Sequence, residues 1–435
     1  MKKIALFLLG IGLLPGAVGA QKLSLDDALK MAIDNRFELK NQQLQLRIAE
    51  GEEAKLRAKW LPQVNASADM RWNTQLQTSV FKNAPFANGQ DVKLVLGVPF
   101  NNNVGISAEQ KVYDAATKYD RLINSETVEG QKITLEKQKI DIKQAVTEAY
   151  YAVLFSQEKI ILAEKAVVRA QAYWESGKTK WEKGTILKND FDRMQLDVNN
   201  AQTALTKAKQ DLKVNQAYLL YQIGLKQTSV ELTETLEKVL ATSENTTPET
   251  ALDTRPELKQ EQSELRVNEL LQQKQKSRLA PLVSAYGNYT ALQLNDKFNP
   301  FSSGTWFPFN YVGLKLNIPL YDGKQTAILR NEYALKMQVN RYTIDKLKGD
   351  FEYEITNTTT VLAQEKANVL DTKKNVTLAQ QILETDRFRY EKGTLLLADL
   401  KNTEYSLQDA ETNYLNSVYQ FLIAYVRYKK AAGAL

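Results

Sequence analysis

The chain has 435 residues, an even charge balance (57 Lys and Arg against 51 Asp and Glu, net +6) and neither Cys nor His. This excludes disulfides and lipid attachment through a cysteine, and it leaves any transition-metal site to carboxylates alone, so no metal and no cofactor is expected. Nor is there a glycine-rich phosphate loop to suggest an enzyme, and the charge is too even to point to nucleic acid.

Residues 1–20 read as a secretory signal peptide: Lys2 and Lys3, an apolar run from Ile4 to Leu14, and the small residues Val18, Gly19 and Ala20 before Gln21. The apolar run is too short to span a bilayer, and no later stretch approaches 18 apolar residues. Such an exported chain is either soluble beyond the inner membrane or part of a β-barrel, and the strand signal has to decide.

In chain order, residues 21–225 predict a helix over 24–60, strands over 63–73 and 104–113, a long helix over 115–183 and a return helix over 190–225. A polar connector follows over 226–249. Residues 250–435 then predict the same series: helix 255–279, strands 282–291 and 311–321, long helix 323–392 and return helix 399–432. The two series are tandem copies. Asn35-Arg36-Phe37-Glu38-Leu39-Lys40 aligns with Thr254-Arg255-Pro256-Glu257-Leu258-Lys259, and Val112-Tyr113-Asp114 aligns with Leu320-Tyr321-Asp322. Pro62 and Pro281 end the first helix of each copy.

The four strands alternate with period two. In the first, Val64, Ala66, Ala68, Met70 and Trp72 oppose Asn65, Ser67, Asp69, Arg71 and Asn73. In the second, Val104, Ile106, Ala108 and Val112 oppose Gly105, Ser107, Glu109 and Lys111; in the fourth, Val312, Leu314 and Leu316 oppose Gly313, Lys315 and Asn317. A half-buried sheet of a soluble protein is the plain reading. Asp69, Arg71, Glu109, Lys111 and Lys315 instead suit a water-filled lumen, and strands of about ten residues suit an outer membrane. Four strands cannot close a barrel, because closure needs at least about eight, so the chain is expected to oligomerise in lipid.

The long helices would each reach on the order of 100 Å. At their far ends one phrase is written twice, WEKGTILKND at 181–190 and YEKGTLLLAD at 390–399. Gly184 and Gly393 are suited to close the helix C-terminus in left-handed conformation, and Asp190 and Asp399 to meet the positive end of the next helix. Ordinary helix–turn–helix capping accounts for this much. Two such tips per chain, repeated in an oligomer, would also ring one mouth of a tube.

At this point the chain resembles the TolC family of outer-membrane efflux factors over essentially its whole mature length. The resemblance rests on the tandem repeat, on KVYDAATKYDRL (111–122) and LNIPLYDGKQTAILR (316–330), on the two tip phrases, and on the C-terminal helix 399–435. It implies a mainly α fold with a membrane β-barrel: a homotrimer, each chain giving four strands to one 12-stranded barrel and long helices to a periplasmic tunnel. It further implies an outer-membrane location in a Gram-negative bacterium, with lipid around the barrel, and a periplasmic adaptor and inner-membrane pump as partners. Adaptor contact is expected at Lys183, Gly184, Thr185, Lys392, Gly393 and Thr394, and a gate or constriction at Tyr390, Asp399, Asn402 and Asp190. In the family's gate, Arg stands where this chain has Leu395 and Asp where it has Asn402, so one cation and one anion are missing together.

The function expected is therefore a passive exit duct of a tripartite efflux or type I secretion system. The rival reading is a pore-free structural coiled coil of the periplasm or cell surface, against which the four alternating strands count. Five Met and no His tilt against soft-metal export.

Overall fold

A computed structural model describes residues 21–83, 85–226, 230–244, 252–302 and 305–435; the expected signal peptide and residues 227–229 and 245–249 of the expected connector lie outside them. The elements are β1 (Gln21–Leu23), α1 (Leu25–Asn35), α2 (Phe37–Ala58), β2 (Gln63–Trp72), β3 (Gln77–Phe81), β4 (Val92–Leu96), β5 (Phe100–Asp114), α3 (Ala115–Glu182) and α4 (Lys188–Ile223). The second half follows with β6 (Val230–Leu232), α5 (Leu236–Glu244), α6 (Pro256–Ser277), β7 (Leu282–Asn295), β8 (Trp306–Asn317), α7 (Gln325–Glu391) and α8 (Leu397–Ala431). No helix among the described residues is long and apolar enough to cross a membrane.

The chain divides into two compact units, and each draws on both repeats. One takes residues up to Gln43, Thr134–Lys259 and Lys346–Leu435; the other takes Leu44–Ile133 and Gln260–Asp345.

The first unit is helical. Tyr150, Leu154, Leu219, Ile223, Leu422 and Val426 form its buried apolar centre, where α3, α4 and α8 supply the side chains. A short parallel pair, β1 with β6, closes beside it, and the Tyr150 hydroxyl donates to the Leu23 carbonyl at 3.2 Å. The helix expected over 24–60 breaks at Arg36, whose backbone turns extended (φ −61°, ψ 127°). Its guanidinium grips Glu38 at 2.8 and 3.0 Å and donates to the Gln222 side chain at 2.9 Å. The repeat partner Arg255 does the same work: it pairs with Glu257 and Glu354 and lies 3.8 Å from the Phe351 ring centroid. The connector contains structure the sequence reading left out. β6 lies within it, and α5 is started by the Thr235 hydroxyl, which accepts from the Lys238 amide, and buries Leu236, Val239 and Leu240.

The second unit is built on one antiparallel sheet of order β2-β5-β7-β8. β5 begins at Phe100 and β7 runs to Asn295, both longer than the periodicity suggested. β8 spans 306–317 rather than 311–321, because its partner begins at Leu282, after Pro281, and gives nothing to pair beyond Asn317. A bulge between Lys111 and Tyr113 corrects the face assigned to Val112. Val112 is the unpaired extra residue, and Tyr113 takes the row of Val283 and Leu316. The segment between the first two strands, expected to be a loop, forms its own hairpin, β3 with β4.

Arg255 is the better test of the repeated arginine, because its side chain is 7% exposed. Arg255→Ala should lower stability by about 2 kcal/mol, as a charged hydrogen-bonded group is lost and Glu354 loses its partner. Arg255→Lys should recover less than half of that, since an ammonium cannot lie flat on Phe351 and fork to two carboxylates. Chemical denaturation of the three proteins checks both numbers.

Candidate functional site

Each tip is a helix end closed by its own backbone. At the first, the Gly184 amide donates to the Trp181 carbonyl at 2.8 Å and the Thr185 amide to the Lys180 carbonyl at 2.9 Å. At the second, Gly393 donates to Tyr390 at 3.0 Å and Thr394 to Arg389 at 2.9 Å. This crossed pair needs a left-handed residue, and Gly184 (φ 69°) and Gly393 (φ 74°) supply it. The threonine hydroxyls donate again to the same carbonyls, at 2.8 and 3.0 Å. Lys-Gly-Thr is thus one hydrogen-bonded device used twice. Neither glycine has a non-neighbouring atom within 4 Å of where a Cβ would stand, so the backbone here is open to a partner.

The returning helices start two residues before the expected positions. Their N-caps are Leu187 and Leu396, which offer no side-chain bond and are 73% and 72% exposed. Asp190 and Asp399 lie in the first turn, where a carboxylate faces the helix's positive end but caps nothing. Two apolar side chains standing in water at cap positions are a feature the sequence reading passed over.

Of the four residues named for a gate, one has found a partner. The Tyr390 hydroxyl accepts from Lys180 at 2.6 Å, and the same ammonium lies 4.7 Å from the ring centroid. Among the described residues, the side chains of Asp190, Asp399 and Asn402 are not joined to any cation; Asp399 and Asn402 are exposed. The charges that tie α3 and α4 to α7 and α8 are others. Lys401 forms an ion pair with Asp197, whose carboxylate also accepts from the Tyr405 hydroxyl at 3.0 Å. The Tyr173 hydroxyl donates to Glu404 at 2.6 Å, and Arg387 approaches the same carboxylate at 3.4 Å. Below them Leu383, Leu400 and Leu407 form a small core covered by Tyr173, Tyr390 and Leu395.

The repeats differ in how they fill this layer. At an offset of 209, Trp174, Trp181 and Phe191 align with Leu383, Tyr390 and Leu400. The first set stacks, Trp181 on Phe191 at 5.2 Å and 3°. Gly177 lets Met194 in, its Cβ position being 2.1 Å from the sulfur; the aligned Asp386 and Thr403 instead share a 2.6 Å hydrogen bond. Comparing the copies position by position would have marked 177 and 194 as a contact.

In the other unit the register gathers the five expected lumen residues on one face of one sheet. Asp69 stands across from Asn103, Arg71 from Asn101, Glu109 from Gln63 and Tyr286, and Lys111 and Lys315 share a row through Ser284. Arg71 and Asp69 approach to 3.9 Å, and both remain more than half exposed. The opposite face carries Val64, Ala66, Ala68, Val104, Ile106, Ala108, Val312 and Leu314. Its polar members include Gln110, Asn310 and, at the upper end, a buried bond of 2.9 Å from Asn102 to Gln293, which in turn donates to the Thr305 hydroxyl and the Asn299 carbonyl.

Residues 28–225 match the family model described as outer membrane efflux protein. No curated protein matches the chain. Among solved structures it is similar to CusC, reported for folding and transmembrane channel formation, with a TM-score of 0.75 at 12% identity over 94% of this chain and 91% of that one. It is similar to the open state of the MtrE outer membrane channel of Neisseria gonorrhoeae, with a TM-score of 0.72 at 14% identity over 94% and 88%. The CmeC outer membrane channel of Campylobacter jejuni gives 0.70 at 14% identity over 94% and 85%. The chain therefore has the fold of these channels.

Burial, reinforced by the bond to Asp197, pushes the Tyr405 phenol up to about 12 from 10.0. The folded state holds this proton more tightly than the unfolded chain does. Its contribution is therefore complete below pH 10 and is lost as pH rises through about 12. Tyr405→Phe should flatten the fall in stability across that window and leave neutral-pH stability within about 1 kcal/mol of the parent, as read from denaturation midpoints at stepped pH.

Proposed function

We propose that this chain, whose residues 28–225 belong to the outer membrane efflux protein family, is the outer-membrane exit duct of a tripartite export system. Three copies close one 12-stranded barrel, and their long helices form a periplasmic tunnel. An inner-membrane pump and a periplasmic adaptor deliver the cargo, and the channel conducts it passively.

One observation carries this reading. The sheet has four strands, one apolar and one largely polar face, and two edges, β2 and β8, without a partner strand among the described residues. In lipid every backbone N–H and C=O must be paired, which forces such a sheet to close on itself or on copies of itself. Four strands are too few to close alone. A pore-free helical fibre has no use for an exposed apolar sheet face, which weighs against the structural alternative. Purified from outer membranes, the chain should run as a heat-modifiable trimer and give discrete single-channel currents in planar bilayers. A monomer that conducts nothing would overturn the proposal.

The tips are the proposed adaptor contacts, through Lys183, Gly184 and Thr185 and through Lys392, Gly393 and Thr394. Support comes from their open backbone and from the exposed Leu187 and Leu396 beside them. Tyr390, Asp399, Asn402 and Asp190 are the proposed constriction, with Lys180 now supplying a cation next to Tyr390 that position 395 does not. Gly184→Val with Gly393→Val, which forces β-branched residues to positive φ, should abolish export while leaving the trimer band intact. Wild-type export from that double variant would refute the docking role.

A further inference from the structure

We propose that the pore face of the sheet carries, in its second-repeat half, an aromatic strip that binds neutral, flat aromatic cargo. The inference rests on the reading of that face as the pore lining. The rows Asp69–Asn103–Leu292–Phe307 and Ser67–Gly105–Thr290–Phe309 put Phe307 and Phe309 on the same face as the charged residues, and Tyr311 follows two positions on. Phe307, Phe309 and Tyr311 are 57%, 46% and 48% exposed. Tyr286 joins them: its ring lies over Gly313, where a Cβ would come within 3.0 Å, and meets Tyr311 edge-on at 6.0 Å.

The fold does not require these rings. At an offset of 208 Phe307 aligns with Pro99, just ahead of β5; the first-repeat positions aligned with Phe309, Tyr311 and, at an offset of 219, Tyr286 are Asn101, Asn103 and Ser67. They sit on the same face in equivalent strands, and they are polar. The aromatic strip thus belongs to one copy only, on a face where water-compatible side chains demonstrably serve. Alternate residues of a strand stand about 6.8 Å apart, so a flat ring leaving Phe307 reaches Phe309 and then Tyr311 without passing through bulk water. Stacked and edge-on aromatic contacts form over this range of centroid distances. The carboxylates of the face, Glu109 beside Tyr286 and Asp69 with two strands between it and Phe307, belong to the first-repeat strands. Above the Ser284–Lys315 row, β7 and β8 themselves place no charged side chain on this face: Leu292, Thr290 and Asn288 stand across from Phe307, Phe309 and Tyr311. That selects a neutral aromatic molecule with hydrogen-bonding groups at its rim.

The probe is N-acetyltryptophanamide, with N-acetylleucinamide as its neutral aliphatic counterpart, added to the full-length trimer in planar bilayers. The tryptophan amide should interrupt the current transiently, at least about tenfold more often than the leucine amide at equal concentration. Phe307→Ser with Phe309→Ser should reduce that blockade about tenfold, and Phe307→Leu with Phe309→Leu, which keeps apolar volume, should erase the difference between the two amides. Equal blockade by both amides in the wild type overturns the proposal, as does undiminished blockade in the leucine variant. A serine variant that falls to monomers, beside a leucine variant that is trimeric and blocked like wild type, would mean that the rings only pack at the subunit seam. A conducting but unblocked wild type overturns the strip alone; a wild type that passes no current overturns the channel reading with it.

Discussion

Backbone pairing at the two edges of one sheet governs the rest of this molecule. β2 and β8 each leave a row of amides and carbonyls without a strand beside them, and the apolar face between those edges suits hydrocarbon rather than water. In the proposed oligomer, further copies satisfy these edges and the helices follow them into the assembly. Under the proposed assembly, their length, their polarity on more than one side and the paired tips have a common cause: they would be segments of a wall, with much of the surface exposed in one chain serving as interface or channel lining.

The tips show how a duplicated sequence can keep its backbone chemistry while changing its packing. Lys-Gly-Thr closes both long helices with the same three hydrogen bonds, so glycine and threonine are fixed by geometry. The layer behind is free to differ, and it does: stacked rings and Met194 in the first copy, leucines and an Asp386–Thr403 bond in the second. The polar links from one helix pair to the other here include Asp197 with Lys401 and Tyr173 with Glu404, residues that belong to no repeated phrase.

Much of this was legible from residue order. Strict alternation announced the four strands, glycine and proline announced where helices stop, and the offsets announced the duplication. What escaped had weak local signals. β1 and β6 are three residues each, and their pairing spans the whole first repeat. The bulge at Lys111 and Tyr113 shifts the phase by one residue within an otherwise regular strand, which period-two reasoning reads straight through. The β3–β4 hairpin is interrupted by a turn rich in Asn and Gly, so its alternation covers only five residues a side. Lys180 was beyond reach for another reason: the position beside the tip looks like any solvated lysine, and only the fold brings Tyr390 to it across 210 residues.

The centre of the sheet is a seam between the copies, since β5 comes from the first repeat and β7 from the second. Asn102 and Gln293, buried at its upper end, are 191 residues apart in the chain. Such a seam is costly in loop-closure entropy and slow to form, whereas the contacts within α3 and α4 are local and fast. Neither copy holds its finished sheet while the other is still being made. The β2–β5 pair, complete at Asp114, therefore waits for β7 and β8, which begin only at Leu282 and Trp306. Duplication within one polypeptide thus makes the sheet a joint product of both copies, with α3 and α4 of the first copy already made before its second half can pair.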